Sequence, residues 1–223
     1  MNRYFHKELE AVRSHLMIMG EKAIENSNLA MKALLESDLA VAEEVINADD
    51  EIDDIEMQID EEVARYISLR APVARDLRLL FVAVKASHDL ERVADEATSI
   101  SSRTKKALSL GKPIDRYGTV PRMCEIALAM LRDAMRCFIE EESDRALSIY
   151  QRDKIVDDLN RDNLKLFVDL MKSDSALVDP MTEMVFISKS FERIADHAKN
   201  IAEEVYYLLT AKSLKQALRE GRS

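Results

Sequence analysis

The sequence predicts an all-α protein built as two tandem three-helix bundles related by an internal repeat. Three observations carry that prediction. Helix breakers are few and sharply placed: there are four Gly and four Pro in 223 residues, and all but Gly20 fall at Pro72, Gly111 to Pro113, Gly118 to Pro121, Pro180 and Gly221. The intervals between them are long, with apolar residues at steps of three and four, the signature of amphipathic helices. And the hexapeptide Leu90-Glu91-Arg92-Val93-Ala94-Asp95 returns as Phe191-Glu192-Arg193-Ile194-Ala195-Asp196, so the chain repeats itself.

The first helix runs from about His6 to Glu36, with Leu9, Val12, Leu16, Met19, Ala23, Asn26, Ala30 and Ala33 as a bundle seam. Ser37-Asp38 suits an N-cap for the second. That helix is predicted unbroken to about Arg70, with Val45, Ile52, Ile55, Ile59 and Tyr66 on its seam and no basic residue from Asp49 to Glu62. Ala71-Pro72 makes the turn, with the proline placed for a first helical turn. The third helix runs to about Ser109 and is ended by Gly111 and Pro113. After the linker at 111–121 come helices at about Val120 to Glu141, Asp144 to Lys172, and Ser175 or Pro180 to Lys212, with Ser143 read as an N-cap.

The halves align at Glu91 with Glu192, offset by 101, and at Asp53-Asp54-Ile55 with Asp157-Asp158-Leu159, offset by 104. The slip falls in a turn, where it costs least. Residues 1–110 and 115–212 are read as the two bundles, and 213–223, with Lys215, Arg219 and Arg222, as a basic tail that frays. Each half holds a full triplet of helices, so a fragment ending near Gly111 is expected to fold alone.

Composition narrows the function. A net charge of −10 argues against nucleic acid as a partner. The longest purely apolar run, Leu79 to Val84, is far short of the ~20 residues of a membrane span. The N-terminal MNRYFHKELE has charges where a signal peptide needs its apolar stretch, so the expected location is cytoplasmic. Cys124 and Cys137 fall in one predicted helix about 20 Å apart, beyond the ~7 Å limit for a disulfide. They are expected to be reduced and without a role in function.

The carboxylates carry the chemistry. Glu91 and Asp95 are four apart, hence on one helix face; Glu192 and Asp196 repeat the pair. Asp49 and Asp53, and Asp153 and Asp157, form a second repeated pair. The centres of Asp49/Asp53 and Glu91/Asp95 lie 21 residues on either side of Pro72. In an antiparallel hairpin both are about 30 Å from the turn and therefore level. Asp153/Asp157 and Glu192/Asp196 are level by the same count. Each quartet would repel itself without a cation, and oxygen-loving divalent or trivalent ions such as iron, zinc, manganese or magnesium relieve that repulsion. The competing reading is a solvated acidic face balanced by Arg92 and Arg193. His88 shares the face of Glu91 and Asp95; it is read first as an ordinary half-exposed histidine and second as an extra ligand. His197 points about 100° away from Asp196 and is placed outside the ligand set. The Glu-x-x-His pairs of ferritin-like oxidases, a Gly-rich phosphate loop and a nucleophile elbow are all missing, so no catalytic residue is expected.

Phe5-His6-Lys7-Glu8-Leu9, ADDEIDDIE at 48–56, Arg75-Asp76-Leu77-Arg78, DLERVADEATSI at 89–100 and FERIADHAKNIAEEV at 191–205 together resemble the PhoU family of phosphate-transport regulators over nearly the whole chain. The family usually has Gly where this chain has Ala94 and Ala195. The resemblance implies tandem three-helix bundles whose Glu/Asp-x-x-x-Asp motifs bind metal clusters. It also implies a negative regulator of phosphate uptake and of the phosphate-starvation response. Its implied partners are the ATPase subunit of the phosphate ABC importer and a PhoR-type sensor histidine kinase, with membrane contact only through them, and a homodimer. The alternative from another class is a metal-dependent enzyme or metal store using the same carboxylates; a third is a plain helical scaffold.

Overall fold

Eight α-helices and one 3-10 turn make up most of the computed structural model, which describes residues 2–110 and 114–220 and contains no strand among them. The predicted Gly111, Pro113 and Gly221 breakers lie outside the described residues. Helix α1 spans Asn2–Glu36. Ser37 turns the chain at φ 55°, and Asp38 caps α2 (Leu39–Asn47) by accepting from the amides of Ala40 and Val41.

The second predicted helix is two. It breaks at Ala48 (φ −84°, ψ −4°) and resumes as α3, Asp49–Arg70. No Gly or Pro marks the break. What favours it is the run Asn47-Ala48-Asp49-Asp50, whose side chains compete with a helix interior and prefer its N-terminus. Asp49, Asp50 and Glu51 occupy the first turn of α3, against the positive end of its dipole.

Ala71, at φ 46°, ends α3, and α4 spans Ala74–Ser109. Pro72 therefore lies before the helix and not in its first turn. In α5, Val120–Glu140, a proline does occupy that position. Ser143 precedes α6 (Asp144–Ser173) without a side-chain capping bond, unlike the predicted cap. Asp174 instead caps the 3-10 turn Ser175–Leu177 that leads into α7, Val178–Thr210. Within the stretch read as a basic tail, Leu214–Glu220 form α8, and Leu214 is buried.

Helices α1 to α4 make one triplet, with α2 and α3 as a single broken arm, and α5 to α7 make the other. The linker between them is tied down by Gly118 and Asn163. Gly118 sits at φ 56°, where a Cβ would come within 2.5 Å of Asn163 Oδ1. That oxygen accepts from both the amide and the hydroxyl of Thr119.

The triplets meet along α4 and α7, which run antiparallel. Lys85 pairs with Glu204 at 2.9 Å, His197 with Asp89 at 2.8 Å, Arg193 with Glu96 at 3.0 Å, and Arg103 with Glu183 at 3.1 Å. This register brings Ala94 level with Ala195, and both are buried. Small side chains at a crossing let two helices approach closely. Gly20 lets α1 reach α5: a Cβ there would lie 2.9 Å from Met135 Cε.

One apolar cluster runs through both triplets, from Leu9 and Leu90 to Phe167 and Phe191. A fragment ending at Gly111 would put the α7-facing side of α4 in water. Such a fragment is expected to be helical but to self-associate, in contrast to the independent folding anticipated from the sequence. Sedimentation and circular dichroism decide it. A monomeric fragment with one cooperative melt would restore two independent bundles.

Candidate metal centre

In the first triplet, α3 supplies Asp49 and Asp53, and α4 supplies Glu91 and Asp95. The charge of Asp95 acts on both Asp49 and Glu91, and that of Asp53 on Asp49, but among the described residues these four are not a group whose ligand atoms converge within 4.8 Å of one another. Burial, then the charges of Asp95 and Asp53, hold the Asp49 carboxyl above its ordinary range; the Thr98 hydroxyl, donating at 3.3 Å, opposes this. Burial and Asp95 likewise push Glu91 up against the pull of Arg92. Arg92 donates to Asp95 Oδ2 at 2.6 Å, and its Nε lies 3.1 Å from Glu91 Oε2. Yet Glu91 Oε2 is buried without a hydrogen bond. Its ionic partner is the Arg92 guanidinium, and a carboxylate oxygen is also a ligand atom for a hard cation.

Two further side chains join this cluster. Glu56 Oε1 lies 3.3 Å from His88 Nδ1, which is 4.0 Å from Glu91 Oε2. Ligand atoms of Glu56, His88 and Glu91 all fall within 4.8 Å of one another. Glu56 is absent from the predicted quartet, although the signal was there: it follows Asp53 by three and Asp49 by seven, and so shares their face.

In the second triplet, α6 supplies Asp153 and Asp157, and α7 supplies Glu192 and Asp196. The charges of Glu192 and Asp196 act on Asp157, and that of Asp196 on Asp153, but among the described residues these four are not a convergent ligand group either. Burial raises the Asp153 carboxyl despite the Lys199 ammonium beside it. Burial, then Glu192 and Asp196, raise Asp157. The difference from the first triplet is two lysines. Lys199 Nζ donates to Asp153 Oδ2 at 2.6 Å and to Asp196 Oδ1 at 2.5 Å, and Lys189 Nζ to Glu192 Oε2 at 2.5 Å. Burial works against the Lys199 charge, but its two carboxylate partners outweigh that and hold its pKa above the ordinary value.

His197 Nδ1 lies 2.8 Å from Asp89 Oδ1 on α4. Asp95 and Asp196 border one depression of about 830 Å³ along the α4–α7 seam, together with Arg92, Glu96, Arg193 and His197. The two clusters thus flank a shared surface.

Thiol chemistry is remote from it. Cys124 and Cys137 are both buried on α5. Burial pushes the Cys124 thiol up to about 12 and Cys137 up to about 11, so neither forms the reactive thiolate near neutral pH. Both are expected to resist a thiol-labelling reagent in the folded protein and to react after unfolding. Rapid labelling of the native chain would contradict this.

Among the described residues no helix is long and apolar enough to cross a membrane. The PhoU domain family matches residues 16–104 and 120–205. A phosphate-specific transport system accessory protein PhoU homolog from Pseudomonas putida is 37% identical over 94% of this chain and 82% of its own length. The phosphate-specific transport system accessory protein PhoU of Escherichia coli is 30% identical over 95% of this chain and 87% of its own. The crystal structure of PhoU from Pseudomonas aeruginosa superposes with a TM-score of 0.90 at 36% identity, over 93% of this chain and all of that one. That of the phosphate transport system regulatory protein PhoU from Streptococcus pneumoniae gives 0.86 at 28% identity, over 94% and 99%. These relatives carry the names of transport accessory and regulatory proteins and not of enzymes.

Proposed function

The chain belongs to the PhoU family, and from that premise we propose that it is an accessory, regulatory protein of a phosphate transport system that restrains phosphate uptake and the phosphate-starvation response. It does so by contact with the ATP-binding subunit of a phosphate importer and with a sensor histidine kinase, on the cytoplasmic side of the membrane. The observation that carries this reading is the relationship along both triplets to proteins named for that role.

The reading includes a bound ion. Asp49, Asp53, Glu91 and Asp95 offer a hard oxygen donor set with one buried oxygen lacking a hydrogen bond, which suits iron, manganese, magnesium or zinc. Bound there, the ion supplies positive charge that ties α3 to α4 and turns an acidic patch neutral or positive. The chain's own residues set where that patch lies: beside the depression shared by α4 and α7.

The test is a strain lacking this protein that carries a phosphate-starvation reporter. The reporter is expected to stay on in abundant phosphate, to be silenced when the chain is restored, and the importer's ATP-binding subunit is expected to co-purify with it. A reporter indifferent to the protein, with no such co-purification, overturns the reading.

A further inference from the structure

We propose that the chain carries one metal centre and not two, built in the first triplet on Glu56, His88 and Glu91, while Lys189 and Lys199 take the place of cations in the second. This rests on the metal-binding reading above and departs from the symmetric expectation drawn from the repeat.

The repeat itself supplies the comparison. Aligned by the two offsets, Glu56 corresponds to Asn160, His88 to Lys189 and Thr98 to Lys199. At each of the three positions the second triplet exchanges a carboxylate for an uncharged amide, or a ligand or a neutral group for a group that is itself a cation. The structure shows each exchange in use. Lys199 bridges Asp153 and Asp196, Lys189 holds Glu192, and Asn160 accepts from Ser188. An ammonium about 2.5–2.6 Å from its partners sits where a metal ion would sit. A cation entering there would have to displace a charge that is already hydrogen-bonded, with its side chain only 18% exposed.

The first triplet lacks that compensation. Among the described residues the lysine pairs of the second cluster have no counterpart there: Glu91 and Asp95 pair with the guanidinium of Arg92, and Glu56 with His88. The equivalent Arg193 is drawn off to Glu96 across the seam. Ligands on one ion with bonds of about 2.1 Å lie roughly 3–3.5 Å apart. The 3.3 Å and 4.0 Å separations around His88 Nδ1 need only a slight closure. An imidazole nitrogen in an oxygen-rich set favours a borderline transition ion over magnesium or calcium. The single centre is therefore expected to select iron, zinc, manganese or a similar ion.

Cobalt(II), titrated into chelator-treated full-length protein, is the probe, because its visible absorption reports nitrogen ligands. Metal per chain and the visible spectrum are read for the parent and four variants, each checked for parent-like helicity. E91Q/D95N is expected to lose the bound cobalt. E192Q/D196N is expected to keep the parent's complement. His88→Gln is expected to weaken binding on the order of tenfold or more and to shift the absorption bands. N160E/K189H/K199T, which copies the first cluster into the second, is expected to gain a further complement. Loss of cobalt from E192Q/D196N, a spectrum indifferent to His88→Gln, or no gain in the triple variant overturns the inference and leaves metal binding standing. A parent that takes up no cobalt overturns metal binding itself.

Discussion

Replacing Glu91 and Asp95 together by Ala is expected to remove metal from the first cluster and to make the metal-free protein more stable than the metal-free parent. The two effects have one cause. Held together by α3 and α4, the carboxylates repel until a cation sits among them. With metal at a thousand times its dissociation constant, a site that exists only in the folded chain contributes about 4 kcal/mol. In a chain of this size that is a shift of roughly 8–16 °C in the unfolding midpoint. A chelator removes that contribution and leaves the repulsion behind. The variant has neither the metal nor the repulsion, so chelator should not move its midpoint at all. The pH dependence follows from the raised carboxyls. Asp49 and Glu91 titrate higher folded than unfolded. Their contribution is therefore present in acid and is lost as pH rises through the folded values. The metal-free parent should lose stability as pH climbs from about 4 through the raised carboxyl range, and the gap between loaded and metal-free protein should widen over the same span. Metal per chain and thermal unfolding at two pH values check this. Unchanged metal in the variant, or a parent curve indifferent to chelator, would leave the carboxylates as a solvated face.

The second large effect lies at the seam. Glu183 is buried on α7, its side chain 4% exposed, and pairs with Arg103 at 3.1 Å and Lys106 at 2.5 Å, both from α4. Arg103 also lies over the Phe186 ring, 4.0 Å from its centroid. Removing both cations, as Arg103→Ala with Lys106→Ala, strands a buried carboxylate. A cost of about 3 kcal/mol is expected, the low end for a broken buried pair because the cations themselves reach solvent. That is a fall of roughly 6–12 °C. Removing the carboxylate, as Glu183→Gln, should cost less than about 1 kcal/mol, since Arg103 and Lys106 are 31% and 67% exposed and remain hydrated. Urea unfolding of the two variants measures the difference. The reverse order of stabilities would show that the pair is not held by the buried partner.

Much of the site was open to the sequence because it depends on helix geometry alone. A rise that is fixed per residue makes Asp49/Asp53 and Glu91/Asp95 level once Pro72 is recognised as a turn, and the repeat transfers the argument to the second half. The same regularity made Glu56 readable, three residues beyond Asp53. Nothing so regular marks the break at Ala48, where neither Gly nor Pro stands and the competition between Asn and Asp side chains and the helix interior decides.

By itself the sequence determined the all-α class and the repeat, and it set the acidic pairs at matching counts on either side of each turn, since each follows from local periodicity and a constant rise. The tertiary structure alone decided how the triplets join and which carboxylates the exchanged lysines hold. The antiparallel seam that sets Ala94 beside Ala195 and ties Arg193 to Glu96 is a contact between helices about a hundred residues apart in the chain. No local pattern encodes that register. Lys199 is likewise three residues after Asp196 on one helix, an unremarkable surface spacing, until α6 brings Asp153 to its other side. Whether a lysine is a solvated charge or the counterion of a buried pair depends on what packs against it, and that is a property of the fold.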